Sequence, residues 1–146
     1  ARRRPQVVAI AGGGGTTVLK RMLTELLRES MRVRSNPLSH NTEIGLALAI
    51  LGVRLPSRRP ADLARTLARA VRQAALPEAI DVLVLELGAR RRGDMRELLS
   101  IVVPDVAVVT PLADDEGGDL DALQELQEEA GELVAAMQVR GRPVLV

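Results

Sequence analysis

The sequence predicts an α/β domain, a parallel sheet with helices on both faces. Three observations carry this. Valine-rich apolar runs bounded by breakers alternate with segments of helical periodicity. A run of four glycines separates the first apolar run from the first helical segment. Alternating strands and helices join by right-handed crossovers, which makes the sheet parallel.

The elements follow in order. Val7, Val8, Ala9 and Ile10 form the first predicted strand, and residues 82–86, 106–110 and 144–146 the next three. Helices are expected over 17–30, 42–51, 61–74, 94–101 and 120–137. The first has apolar residues at Leu19, Met22, Leu23, Leu26 and Leu27, and Thr42 caps the second ahead of Glu43. Residues 54–59, with Pro56 and then Pro60, read as a linker between helices, and Pro60 opens the third helix. The acidic run 114–119 is a loop. The last helix carries Leu120, Leu123, Leu126, Ala130, Leu133, Val134 and Met137, an ordinary core-packing face. Ligands of such sheets sit outside the carboxyl ends of the strands. Residues 12–17, 86–88 and 110–116 map to that edge.

Composition narrows the classes. A chain of 146 residues with 47% apolar and 27% charged residues is one globular domain able to bury a core. No apolar run approaches the roughly 18 residues of a membrane span, and no signal-peptide pattern opens the chain. With no cysteine, disulfides and thiolate metal sites are excluded, which fits a cytoplasmic location. Arginines cluster at 2–4, 54–59 and 90–92, but Phe, Tyr and Trp are absent, so no aromatic can stack a base and nucleic acid is disfavoured. The one histidine, His40, makes no metal site by itself.

Strand, glycine turn and helix in that order form a phosphate-binding loop, whose backbone N–H groups and helix N-terminus face an anion. A working loop ends Gly-Lys-Ser/Thr, with lysine on the β/γ-phosphates and the hydroxyl on Mg²⁺. Here Gly12, Gly13, Gly14 and Gly15 are followed by Thr16 and Thr17: the hydroxyl is present and the cation is missing. Lys20 is the only lysine, so no lysine elsewhere is expected to replace it. Glu86, ending an apolar strand, needs a partner; Mg²⁺ and a buried arginine are both open to it. The acids at 114–119 suit solvent better than an ion.

Several blocks together resemble the central, ATP-binding domain of the Mur ligases of peptidoglycan synthesis. Residues 8–20 are similar to that family's T-G-x-x-G-K-T-T loop, and Asn41-Thr42-Glu43-Ile44-Gly45 to its N-x-E-I-G block. Residues 84–94, from Val84 to Gly93-Asp94, match its E-x-G-x-x-x-x-G-D block, and 104–110 the strand that follows. The resemblance implies a P-loop NTPase-like fold, ATP and Mg²⁺ as cofactors, and an activity in which the γ-phosphate activates a carboxylate for attack by an amine. Carried over, Gly12, Gly13, Gly14, Gly15, Thr16 and Thr17 border the nucleotide, and Asn41 and Glu43 face the active site. Thr17, Glu86 and Glu116 take the metal positions. Glu116 stands where the family has a metal-binding histidine, and Ala130 where most members have a carbamylated lysine. The family's N-terminal UDP-substrate domain and C-terminal domain have no counterpart in residues 1–146.

Two functions fit these residues. One is a catalytically degenerate Mur-like module that binds a nucleotide, a cell-wall precursor or a protein partner. The other is an active ATP-dependent amide ligase domain working with flanking domains. Loss of lysine at both family positions favours the first. Retention of Asn41, Glu43, Glu86, Gly93 and Asp94 supports the second, although Gly93 and Asp94 also suit the start of a helix.

Overall fold

The computed structural model describes residues 4–37, 43–54, 57, 59–76, 78–112 and 120–146. The elements run β1 (Gln6–Ala11), α1 (Thr16–Arg28), β2 (Val33–Ser35), α2 (Glu43–Ile50), α3 (Pro60–Ala75), β3 (Val82–Glu86), α4 (Asp94–Ile101), β4 (Val106–Val109), α5 (Leu120–Val139) and β5 (Val144–Leu145). The strands form one sheet in the order β2-β3-β1-β4-β5. Every pairing is parallel, with Ile10 opposite Glu86 and Val108. The expected α/β fold is therefore present. The addition is β2, whose Val-Arg-Ser sequence has too little apolar content to signal a strand.

Strand alternation sorts side chains to two faces. Val7, Ala9, Ala11, Leu83, Leu85, Ala107 and Val109 meet Leu46 of α2, Met95 and Leu98 of α4, and Ala130, Leu133 and Met137 of α5. The opposite face carries Ile10, Val82 and Val84 under Leu19, Leu23 and Leu27 of α1. The central β1 and β3 are apolar on both faces, as strands covered by helices on either side must be.

Two helices depart from the expected packing. In α1 the stripe at Leu19, Leu23 and Leu27 packs inward, whereas Val18, Met22 and Leu26 stay exposed. In α3 Thr66 is buried while Leu63, Leu67 and Val71 face outward. Leu120 at the start of α5 is exposed as well.

Asp105 ties the amino edge of the sheet together. It accepts the Val7 N–H at 2.9 Å, Arg4 Nη2 at 2.6 Å and Arg142 Nη1 at 2.6 Å, joining β1, β4 and the approach to β5. Burial pushes its carboxyl pKa up, but the Val7 N–H and the two guanidinium groups outweigh this and hold it below its ordinary 3.8. A depressed folded-state pKa adds stability that is complete above the unfolded value and is lost as pH falls through the folded one. Asp105→Asn should therefore cost about 1–3 kcal/mol near neutral pH. That cost should shrink steadily below about pH 4, and urea titrations of both proteins across that range check it.

Candidate functional site

The glycine turn follows β1 and opens directly into α1. Gly12 has φ +138°, and a Cβ there would lie 2.3 Å from Thr110 Oγ1 and 2.6 Å from Thr110 O. The ends of β1 and β4 thus close on each other with no room for a side chain. Gly15, with φ +78°, is the N-cap of α1, and a Cβ on it would meet nothing within 4 Å. The helix start has no side-chain cap and no acid in its first turn. Its amides and the positive end of its dipole are left for an anion.

Glu86 ends β3 beside this helix start, and its carboxylate is fully engaged. Oε1 accepts Thr16 Oγ1 and Thr17 Oγ1, each at 3.2 Å. Oε2 accepts Thr17 Oγ1 at 3.1 Å and Lys20 Nζ at 2.7 Å. Lys20 is 3% and Glu86 8% exposed, so this is a buried ion pair. Asn36, just after β2, fixes the glutamate from behind: its Nδ2 donates to Glu86 O and its Oδ1 accepts Glu86 N–H, both at 2.9 Å.

Lys20, the only lysine, was given no partner by the sequence, and the structure places it against Glu86. It does not occupy the loop position, which Thr16 holds, but it lies one helical turn beyond it. Residues three and four apart share a helix face, and helical side chains lean toward the N-terminus. Lys20 therefore runs back along α1 to meet Glu86 next to Thr17 and Thr16. The spacing Thr16, Thr17, Lys20 was a signal available in the sequence. Asn36 offered none, because its role depends on β2 lying beside β3.

The other expected residues divide. Thr16, Thr17 and Glu86 come together, and Gly12 to Gly15 line the approach. Glu43 begins α2 beside Glu97 of α4; their shared hydrogen bond, then their mutual repulsion, raises the Glu97 carboxyl above its ordinary range. Asn41 and Glu116 lie outside the described residues, as do Thr42, His40 and the acidic run 113–119. Gly93, with φ +95°, is the N-cap of α4. Asp94 accepts the N–H groups of Arg90 and Arg91, each at 2.9 Å. The buried Glu129 of α5 accepts those of Gly93 at 2.7 Å and Met95 at 2.6 Å. Arg92 is paired with Glu128. Ala130 is buried beside Gly12, Leu87 and Ala89, so a longer side chain there would point at the loop.

As paired here, Glu86, Thr16 and Thr17 are engaged with one another and with Lys20, which competes with Mg²⁺ for them. The metal takes oxygen ligands at about 2.0–2.1 Å in an octahedron. Among the described residues the carboxylate at the loop is Glu86, which already has an ammonium on Oε2. Among the described residues no three His, Cys, Asp or Glu side chains come together.

A glycine turn at the carboxyl end of β1 in a five-stranded parallel sheet defines an α/β domain of P-loop type. Solved structures agree: MurF ligase from Thermotoga maritima in complex with ADP matches 90% of the chain with TM-score 0.63 and 26% identity, over 26% of its own length. Folylpolyglutamate synthase from Mycobacterium tuberculosis shares the fold, with TM-score 0.50 and 20% identity over 98% of this chain and 43% of its own. In sequence, the chain is 30% identical over 126 residues to UDP-N-acetylmuramoyl-tripeptide--D-alanyl-D-alanine ligase of Treponema pallidum. That match takes in 86% of this chain and 22% of the relative. The Bacillus subtilis ligase of the same name is 25% identical over 136 residues, 93% of this chain and 25% of its own. No protein-family model matches the chain. Fold and sequence together make the chain a Mur ligase family domain, similar within that family to the D-alanyl-D-alanine-adding ligases. It spans about a quarter of the length of these relatives.

Two outcomes follow from the packing. Gly12→Ala combines a positive φ with collision against the Thr110 backbone, so it should destabilise by about 2–4 kcal/mol. Gly15→Ala carries only the backbone cost of about 1–2 kcal/mol. Thermal unfolding of both variants checks the ranking. Lys20→Met leaves Glu86 buried without its cation and should cost about 3–5 kcal/mol, whereas Lys20→Met with Glu86→Leu should recover most of that. A double-mutant cycle by chemical denaturation measures the difference.

Proposed function

We propose that residues 1–146 act as one nucleotide-binding domain of Mur-ligase type, serving peptidoglycan-precursor synthesis in the cytoplasm, and that the domain binds phosphate without transferring it. One observation carries the reading. The turn through Gly12 and Gly15 delivers an uncapped helix N-terminus to the carboxyl end of β1, while Thr16 stands where a cation would meet the transferred phosphoryl group. Backbone amides and a helix dipole suffice to hold an anion. Phosphoryl transfer needs positioned positive charge on top of that. Losing one such preorganised group costs about 3–4 kcal/mol of transition-state stabilisation.

Several features support this reading. The similar Thermotoga maritima ligase is an ADP complex. Among the described residues no helix is long and apolar enough to cross a membrane. Under this proposal the ligand is a nucleotide, with a cell-wall precursor or protein partner as a further binding function.

A second reading is an active ATP-dependent amide ligase domain completed by flanking domains. It is favoured by the similarity to two D-alanyl-D-alanine-adding ligases and by Glu43 and Glu86 in their family positions. In it the γ-phosphate passes from ATP to a substrate carboxylate, leaving ADP, and an amine then attacks the acyl carbon, expelling phosphate and losing a proton to form the amide.

Calorimetric titration with ADP and ATP separates the two. The native chain should bind both weakly and release no phosphate, and Thr16→Lys should tighten binding at least tenfold by restoring the loop cation. ATP turnover by the native chain would favour the ligase reading. No binding by either protein would reduce the loop to a turn.

A further inference from the structure

Glu86 stands where a metal-using site would present its carboxylate, and the chain has placed its only lysine there. We propose that Lys20 Nζ is the permanent counter-ion of Glu86 in the position of a divalent cation, so that the site receives phosphate as a metal-free anion. The ligand class rests on the nucleotide-binding reading above; the exclusion of metal from Glu86 does not.

Saturation of the carboxylate is the first argument. An ionised carboxylate offers about four lone-pair positions. Three donors occupy them: the Thr16 hydroxyl on Oε1, the single Thr17 hydroxyl shared between Oε1 and Oε2, and Lys20 on Oε2. A cation at coordinating distance from Oε2 would have to share that oxygen with an ammonium 2.7 Å away.

Charge is the second argument. Lys20 and Glu86 neutralise each other, so an added dication would find no net negative charge to offset it. Moving the lysine aside would strip a nearly sealed ammonium, 3% exposed, of the one ionic partner it has among the described residues. A buried charge without a partner is strongly disfavoured. Backbone geometry is the third. Asn36 holds Glu86 through both its N–H and its carbonyl, so the carboxylate cannot be carried toward the loop by a shift of β3. Thr17, whose hydroxyl would otherwise be a metal ligand, is turned to both Glu86 oxygens. An anion at the loop then meets amides and the helix dipole alone.

Mn²⁺ is the probe, read by its paramagnetic resonance signal in the presence of the 146-residue chain. The native chain should leave the signal of free Mn²⁺ unchanged up to millimolar concentration. Lys20→Met, or the milder Lys20→Gln, should quench it and should gain thermal stability on adding Mg²⁺. Added Mg²⁺ should leave native ADP affinity unchanged or lower it, because it removes free ADP. Saturable Mn²⁺ binding by the native chain that Glu86→Gln abolishes would overturn the proposal, as would a tenfold gain in ADP affinity with Mg²⁺. Failure of both folded Lys20 variants to take up metal would overturn it too. If the variants do not fold, the native titration still decides. Absence of ADP binding in every buffer would defeat the nucleotide reading, and the Mn²⁺ result would stand independently.

Discussion

The buried contact between Lys20 and Glu86 organises the carboxyl edge of the sheet. It joins α1 to β3 across the mouth of the glycine loop, and the Thr16 and Thr17 hydroxyls complete it. Removing either charge leaves the other stranded in a region that excludes water. Thr16, Thr17, Lys20, Asn36 and Glu86 thus behave as one unit, in which each polar group is justified by its neighbours. The proposals of a phosphate-binding loop and of a lysine in the place of a metal both start from that unit.

Around it, polar groups do structural work that could be mistaken for chemistry. Glu129 lies deep in the larger core and resembles a stray catalytic carboxylate, yet both its oxygens accept N–H groups at the start of α4. Asp94 fixes the turn through Arg90 and Arg91. Asp105 performs the corresponding task at the amino edge, binding β1 and an arginine that precedes β5. Family positions that carried cations or carboxylates can persist because helix starts and strand ends still need donors and acceptors.

Much of the fold was legible because its signals are local. The limits of β3 and α4 follow from residues within them: five apolar or strand-ending residues at 82–86, and Gly93-Asp94 ahead of a short helical run. Two things escaped. β2 has one apolar residue and is a strand only because β3 offers it a hydrogen-bonding edge. The helix expected at 61–74 is present, but which side it buries was not legible: Leu63, Leu67 and Val71 point outward while Thr66 is buried. Periodicity identifies a helix without saying which of its faces finds a partner.

The sequence by itself determined the alternating architecture, the glycine turn before α1, the absence of a loop lysine and the kinship with Mur ligases. The first three are properties of spacing and residue type, which short-range physics is enough to read; the kinship rests on the resemblance of whole motifs. Only the tertiary structure decided what Glu86 is paired with. Lys20 and Glu86 are 66 positions apart. Their meeting requires α1 to lie on the face of β3 and Asn36 to hold the end of that strand. A charge finds its partner through space, and composition alone could only say that one lysine was there.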